Sequence, residues 1–495
     1  MRECDSGIMA RMLRKEWTQR DLIRGKRSKP ATEMSSWICN PSTGEPIEVQ
    51  FSSGRDRVLE AISAADEIDR SGAWRDMGEE HRAQLLESIA QHLDERAVEI
   101  AEAESLGTGV VISVTRMFAD SLGGSFRDAA TRLRAGWAVT DLGDAGRPVL
   151  LLRLPWGPTA ILVPWNAPSS VASKKVAYAL AVGAPVILKA NEWAPYGCNL
   201  LADAIEEAAL PDGVFQLLHG GAEVGHLLVS DPRIKALSFT GSVEVGRKIA
   251  QAAAVNFTAL QLELSGNNPA IVLPDADVTA AAADICAGML KLNGEWCEAP
   301  RKIFVSKPLH KLFIDALRDA IAEVRIGRHD DSTAEIGPLS HEAHRAHLDS
   351  QVRVLHDLGA TIEAIGALPD LDGWFWAPRI VTNIEARHCA EEMFGPIVTI
   401  HAYDFVDEAI EDANNSPYGL AAYVFGSDLD RAMRVGISLR YGEVKVNGTS
   451  LLDLSPNSVQ SFWRSSGIGG HGDDDVFSFF CGAQIVGVDR KGLPI

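Results

Sequence analysis

The 495-residue chain has no uninterrupted run of about eighteen apolar residues, so no membrane-spanning helix is expected. Positive charge is scarce: 47 Lys and Arg stand against 67 Asp and Glu, a net charge of −20. No basic stripe offsets that deficit, which excludes a nucleic-acid scaffold from the expectations. The seven cysteines, at 4, 39, 198, 286, 297, 389 and 481, form no CxxC pair. An odd and scattered set fits neither a disulfide framework nor a zinc ribbon, and no metal site is expected. Internal repeats and low-complexity linkers are missing as well. Residues 1–35 contain no apolar core segment, so they are not read as a secretory signal. Reduced thiols without a signal suggest the cytoplasm. Residues 1–35 are read as an N-terminal extension without fixed structure, or as the product of a start site upstream of Met34.

What is present is an ordinary globular balance, 46% apolar and 23% charged, over a length that suggests two or three units. Apolar residues recur at helical spacing from Asp56 to Glu104. Runs at Pro148–Arg153, Thr159–Pro164, Pro185–Lys189, Val214–Leu218 and Ala236–Phe239 read as strands. Helices are expected between them at Lys174–Val182, Gly197–Ala209 and around Glu223–Val229. This alternation predicts a parallel, doubly wound α/β sheet covered on both faces. A second α/β stretch spans 270–447, with strands at Lys302–Val305, Ile397–Ala402 and Glu443–Val446. The tail Cys481–Val488 reads as a lone strand in need of an edge.

Two short Gly-containing segments carry the chemistry. Cys297 lies in Asn293-Gly294-Glu295-Trp296-Cys297-Glu298, and Glu263 lies 34 residues upstream in Leu262-Glu263-Leu264-Ser265-Gly266. A lone cysteine is more often an inert hydrophobe than a nucleophile. A thiol nucleophile needs a positioned base, and this carboxylate is a candidate. Phe239-Thr240-Gly241-Ser242 leaves a strand and enters a helix, a turn whose amides favour an anion and whose serine can also serve simply as a cap. Gly467-Ile468-Gly469-Gly470-His471-Gly472 matches a dinucleotide fingerprint, yet no strand precedes it and three aspartates follow, so it is read as a flexible loop. His341, His344 and His347 fan around a helix instead of converging on a metal, and are read as a solvated face.

Taken in order, the segments resemble the NAD(P)-dependent aldehyde dehydrogenase superfamily over roughly 37–488. They are Asn40–Glu45, Pro164-Trp165-Asn166-Ala167-Pro168, Lys189-Ala190-Asn191-Glu192, Phe239–Ser242, Leu262–Leu264, the Cys297 segment, Glu391–Pro396, Tyr418–Leu420 and Ser466–Gly469. The resemblance implies that Cys297 attacks an aldehyde, that Asn166 and the Cys297 N–H stabilise the oxyanion, and that Glu263 activates water to hydrolyse a thioester. It further implies that Lys189 and Glu192 hold the adenosine ribose, and that Glu392 and Phe394 attend the nicotinamide ribose. Pro164, Trp165, Gly241 and Ser242 complete the expected cofactor cradle. A carboxylate at Glu192 would repel a 2′-phosphate, so NAD is favoured over NADP. A small-molecule aldehyde is the expected substrate, with no nucleic-acid or membrane partner.

Departures from the family pattern are local. Ser265-Gly266-Asn267 stands where the family shows Gly-Gly-Lys, and Glu295 stands for Gln. Glu295 is expected to keep the structural hydrogen bonds of Gln, and Glu298 to face away from the thiol. Ser461-Phe462-Trp463-Arg464 replaces Phe-Gly-Gly-x-Lys, and Trp296 and Trp463 suggest an apolar pocket wall. Two other readings stay open: a CoA-acylating relative and a non-catalytic relative that keeps the fold. The resemblance implies a cofactor domain from 36–130 and 155–262 and a catalytic domain from 263–465. Residues 131–154 and 470–495 would form an oligomerisation element, giving a homodimer or homotetramer through otherwise exposed strand edges.

Overall fold

The computed structural model describes residues 17–144, 146–455 and 458–489. Its centre is an eight-stranded sheet whose five inner strands are parallel, in the order Phe215–Leu218, Val186–Lys189, Thr159–Leu162, Ala236–Thr240, Ala259–Glu263. The first four of these are apolar runs buried throughout, as expected for parallel strands covered by helices on both faces. Helices Pro168–Val182 and Tyr196–Glu207 pack on one face, with Glu79–Glu95, Ala97–Thr108 and Ile112–Arg134 behind them. Helices Gly54–Ser71 and Ala222–Ser230 pack on the other.

A second sheet of seven strands is parallel except at one edge. Its middle strands are Ile397–Tyr403, Pro300–Ser306, Asn268–Val272 and Ala421–Phe425. The strand that ends in Glu263 and the strand that begins at Asn268 belong to different sheets. Glu263 therefore sits at the junction of the two. A third sheet joins Cys481–Gly487 to Val149–Pro155 and Val139–Asp141, so the C-terminal strand does find an edge.

Two expectations fail here. Residues 17–35 are part of the fold: Asp21–Ile23 pairs with Phe215–Leu218 and with Lys26–Ser28, extending the first sheet. Basic residues of this segment meet distant acids, Arg24 on Glu67 and Arg27 on Asp203 and Glu206. Asp21 is fully buried, accepting from Ser53 Oγ at 2.7 Å with His219 Nδ1 at 3.1 Å. The part of the expected extension at 1–16, and residues 490–495 of the expected oligomerisation element, lie outside the described residues. The second failure is the glycine segment read as a flexible loop. Gly467–Ile468 pairs antiparallel with Leu262–Glu263, Gly470–His471 pairs with Gln460–Ser461, and helix Asp473–Phe479 follows. Gly467 has φ +143°, and a Cβ there would lie 1.7 Å from the Leu262 carbonyl oxygen. Glycine at that point is a packing requirement for the strand that bears Glu263.

Candidate active site

The thiol is presented by a constrained turn. Leu292 and Asn293 adopt φ of 51° and 60°, a conformation non-glycine residues seldom hold without support. That support is visible: Asn293 Nδ2 donates to the Pro338 carbonyl at 2.8 Å and its Oδ1 accepts from the Gly337 N–H at 2.7 Å. At Gly294 (φ +83°) a Cβ would fall 2.2 Å from Pro396 N, so only glycine fits. Beyond the turn, Asn268 Nδ2 donates to the carbonyls of Cys297 and Ala299, both at 2.9 Å. The buried Arg301 guanidinium donates to the carbonyls of Gly294, Trp296 and Gly395. The backbone on both sides of Cys297 is thus pinned by side chains.

Cys297 Sγ lies 3.8 Å from Glu263 Oε1, so the two segments do meet. Asn166 follows the strand Thr159–Leu162, where the chain turns into helix Pro168–Val182, and its Nδ2 donates to the Glu295 carbonyl at 2.7 Å. One amide hydrogen therefore ties the residue to the cysteine loop and the second remains for a ligand. On its apolar side Cys297 packs against buried Val110, Leu292, Trp296 and Ala299, with Val114 and Phe118 nearby. Trp296 is thus a wall, as expected, whereas Trp463 is 42% exposed.

Burial pushes the Cys297 thiol well above its ordinary range, and Glu263, Glu298 and Glu392 push the same way. Glu298 was expected to face away from the thiol. Its carboxyl accepts from Gln460 Nε2 at 2.8 Å, and its charge still acts on the thiol. Its own titration rises to about 7, first through burial. Burial also raises Glu263, but Lys175, His471, Lys174 and a hydrogen bond from Thr240 outweigh it and hold the carboxyl below its usual range. Lys175 Nζ donates to Thr240 Oγ1 at 2.7 Å and approaches Glu263 Oε2 to 3.8 Å. Glu263 is thus anionic beside a protonated thiol, the arrangement a base requires.

A cleft of about 500 Å³ lies beyond the C-terminal ends of the parallel strands and gathers Pro164, Trp165, Lys189, Glu192, Gly241 and Ser242. Ser242 caps helix Val243–Ala254, accepting from the Val245 N–H at 3.3 Å, and Lys189 Nζ reaches Glu192 Oε2 at 3.1 Å. Trp165 links this cleft to the second sheet through edge contacts to Phe394 at 5.5 Å and His341 at 5.3 Å. Glu392 Oε1 accepts from the Gly266 N–H at 3.0 Å, and burial raises its titration to about 7. Asn267, in the place of the family's lysine, donates from Nδ2 to the Cys389 carbonyl at 2.8 Å.

Sequence reasoning missed Lys175, His341, His344 and His471. Lys175 carried a weak signal, one of two adjacent lysines that are the only charged residues of their helix. The reading of the three histidines as a solvated face holds only for His347, which is exposed. His341 stacks on Trp193 at 4.3 Å and 12°, and His344 packs on Trp165 at 5.0 Å. Two tryptophans, from the segments that follow Thr159–Leu162 and Val186–Lys189, cover that face, which no local spacing could reveal.

The sequence model described as the Aldehyde dehydrogenase family matches residues 29–486. The chain belongs to this family. It is an oxidoreductase acting on aldehydes with a nicotinamide dinucleotide. Among its relatives, betaine aldehyde dehydrogenase of Bacillus subtilis is 32% identical over 463 residues, covering 90% of this chain and 92% of the relative. The NADP(+) succinate-semialdehyde dehydrogenase of Escherichia coli is 30% identical, covering 92% and 94%. Aldehyde dehydrogenase C of Pseudomonas syringae, solved with NAD+ and octanal, superimposes with a TM-score of 0.89 at 29% identity, covering 96% and 97%. Apart from the edge strands Asp21–Ile23 and Lys26–Ser28, both sheets and the site between them lie within the matched residues. No helix among the described residues is long and apolar enough to cross a membrane.

Proposed function

We infer that the protein oxidises an aldehyde to its carboxylic acid with NAD, using Cys297 as nucleophile, Glu263 as base and Asn166 as oxyanion donor. The observation that carries this reading is the 3.8 Å approach of Cys297 Sγ to Glu263 Oε1, a half-buried carboxyl beside Lys175. Cys297 adds to the aldehyde carbon, and its proton passes to Glu263. The oxyanion is met by the free amide hydrogen of Asn166 and by the Cys297 N–H, donors held by the pinned loop before the reaction begins. NAD, when bound, supplies the hydride acceptor. Glu263 then takes a proton from the water that attacks the thioester, the C–S bond breaks, and the acid leaves.

The cleft fits such a cofactor: a capped helix N-terminus for the pyrophosphate, Lys189 and Glu192 for the adenosine ribose, and Pro164 and Trp165 along one wall. Glu392 and Phe394 would hold the nicotinamide ribose. The negative charge of Glu192 supports NAD over NADP. We read residues 36–130 and 155–262, with 17–35 added, as the cofactor domain, and 263–465 as the catalytic domain. Residues 131–154 and 470–495 would assemble subunits: the sheet they build exposes Leu150, Leu154, Ile485 and Val486, supporting a homodimer or homotetramer.

The test is NADH formation with aliphatic, aromatic and amino aldehydes. Turnover that vanishes in Cys297→Ala supports the reading. Turnover that needs CoA and yields an acyl-CoA would replace it with the acylating reaction, and a folded, NAD-binding protein inert to every aldehyde would defeat both.

A further inference from the structure

We propose that His471 carries protons between Glu263 and solvent, acting on the reaction only through Glu263. The inference rests on the reading of Glu263 as the base. The segment that contains His471 is bound to the strand that contains Glu263: Gly467 pairs with Glu263, and Gln261 Nε2 donates to the Gly470 carbonyl at 2.7 Å. His471 Nδ1 then lies 4.0 Å from Glu263 Oε2, while Oε1 of the same carboxylate meets Cys297 Sγ at 3.8 Å. One oxygen serves the thiol and the other faces the imidazole.

Exposure rises along this line. The Glu263 side chain is 14% exposed and that of His471 is 34%. Thr240 Oγ1 and Lys175 Nζ also approach Oε2, at 3.4 Å and 3.8 Å; the lysine is 5% exposed and engaged with Thr240, so it offers no route outward. The charged groups acting on His471 are Lys174 and Lys175 from helix Pro168–Val182, Glu263 from its strand, Asp453 from the preceding loop, and Asp475 from the helix that follows. Lys174 is itself paired with Asp473 at 2.8 Å. Burial first, then Lys174, lowers the imidazole, against Glu263 and Asp453, so it is neutral near pH 7 and free to accept a proton.

The reaction needs such an exit. Oxidation near neutral pH runs as RCHO + NAD⁺ + H₂O → RCOO⁻ + NADH + 2H⁺. One proton leaves as the thiol sulfur bonds to the carbonyl carbon. The second leaves when water adds, the C–S bond breaks and the acid ionises, sulfur keeping the other water proton. Glu263 must return to the anion between these events, and a neutral imidazole 4.0 Å from it that also reaches the surface lets it do so without opening the site.

His471→Gln and His471→Asn keep polarity but cannot carry a proton. Both are expected to lower kcat about tenfold, part of the 10²–10⁴ that a general base contributes. The first burst of NADH and the aldehyde KM should persist, and added imidazole should restore turnover in proportion to its concentration. A readout that needs neither aldehyde nor cofactor is the NMR titration of the His471 ring. Its midpoint should move to lower pH in Glu263→Gln, because a negative charge that favours imidazolium has gone. An unmoved midpoint would overturn the proposal, as would wild-type kcat in both variants or a lowered kcat that imidazole does not rescue. A wild-type protein that oxidises no aldehyde defeats the proposed function, and the ring titration still decides whether the two groups are coupled.

Discussion

Glu295→Gln should stabilise the protein in a pH-dependent way. Glu295 is fully buried; its Oε1 accepts from the Ser340 N–H at 3.1 Å and its Oε2 has no hydrogen-bond partner among the described residues. No cation in contact neutralises it. His344 Nε2 is 3.6 Å away but is engaged with the Phe394 carbonyl at 2.6 Å, and burial lowers that ring to about 4, leaving it neutral. Arg301 spends its donors on backbone carbonyls. Burial therefore pushes the Glu295 carboxyl well above its usual range. A raised carboxyl binds its proton in the folded state at a pH where the unfolded chain has released it, so stability falls as pH rises above about 4.3. The limiting slope is about 1.4 kcal/mol per pH unit for one proton, and it ends where the folded group ionises. Glutamine removes that slope, but its Nε2 hydrogens take the place of an oxygen without a partner, at a pH-independent cost of about 1–3 kcal/mol. Near pH 4.5 the variant should be equal to wild type or weaker, and the difference should move in its favour as pH rises towards 8, by at most about 1.4 kcal/mol per unit while folded Glu295 keeps its proton. Calorimetric or urea unfolding of both proteins at pH 4.5, 6 and 8 reads the difference. A difference constant over that range would refute the reasoning. Turnover should change little, because Asn166 bonds the main-chain carbonyl of Glu295.

Asn166→Ala removes an oxyanion donor and should lower kcat about 10²–10³-fold, measured as steady-state NADH formation. Glu263→Gln removes the base for the thiol as well as for the water, so NADH formation should slow about 10²–10⁴-fold and the first burst should be lost with it; a full burst followed by slow turnover would confine Glu263 to the hydrolysis. Glu192→Ala removes the charge expected to face a 2′-phosphate, so the ratio of kcat/KM for NAD over NADP should fall about tenfold or more, the worth of one like-charge contact at a partly buried surface. An unchanged ratio would show that Glu192 does not read that position.

The inner strands of both sheets were legible because parallel strands buried on two faces are short apolar runs between turn residues. Glu263 and Cys297 stood out for another reason: alone each is an ordinary carboxylate or thiol, and only the ordered, family-like segments around them gave them roles. What stayed hidden was whatever another element covers. Arg24 and Arg27 read as part of an extension without fixed structure until Glu67, Asp203 and Glu206 arrive from 43 to 179 residues away. His341 and His344 look like a surface until Trp193 and Trp165 cover them.

The same logic explains why departures from the family pattern need not disable the site. Asn267 holds two carbonyls, of Cys389 and Ala390, from the place of a lysine, and Ser265 gives its carbonyl to Ser466 Oγ at 2.9 Å. Both tie the base segment to its surroundings through main-chain groups, which any side chain of fitting length and polarity can satisfy. Glu295 differs because only one of its oxygens is satisfied. A substitution that leaves a buried oxygen without a partner shifts a titration, whereas one that satisfies carbonyls does not. The charge environment of Cys297 is therefore where this chain is most its own: Glu298 joins Glu263 and Glu392 in opposing the thiolate. A nucleophile held protonated that firmly depends on a base that can be emptied quickly, and that requirement gives the line from Glu263 to His471 its kinetic weight.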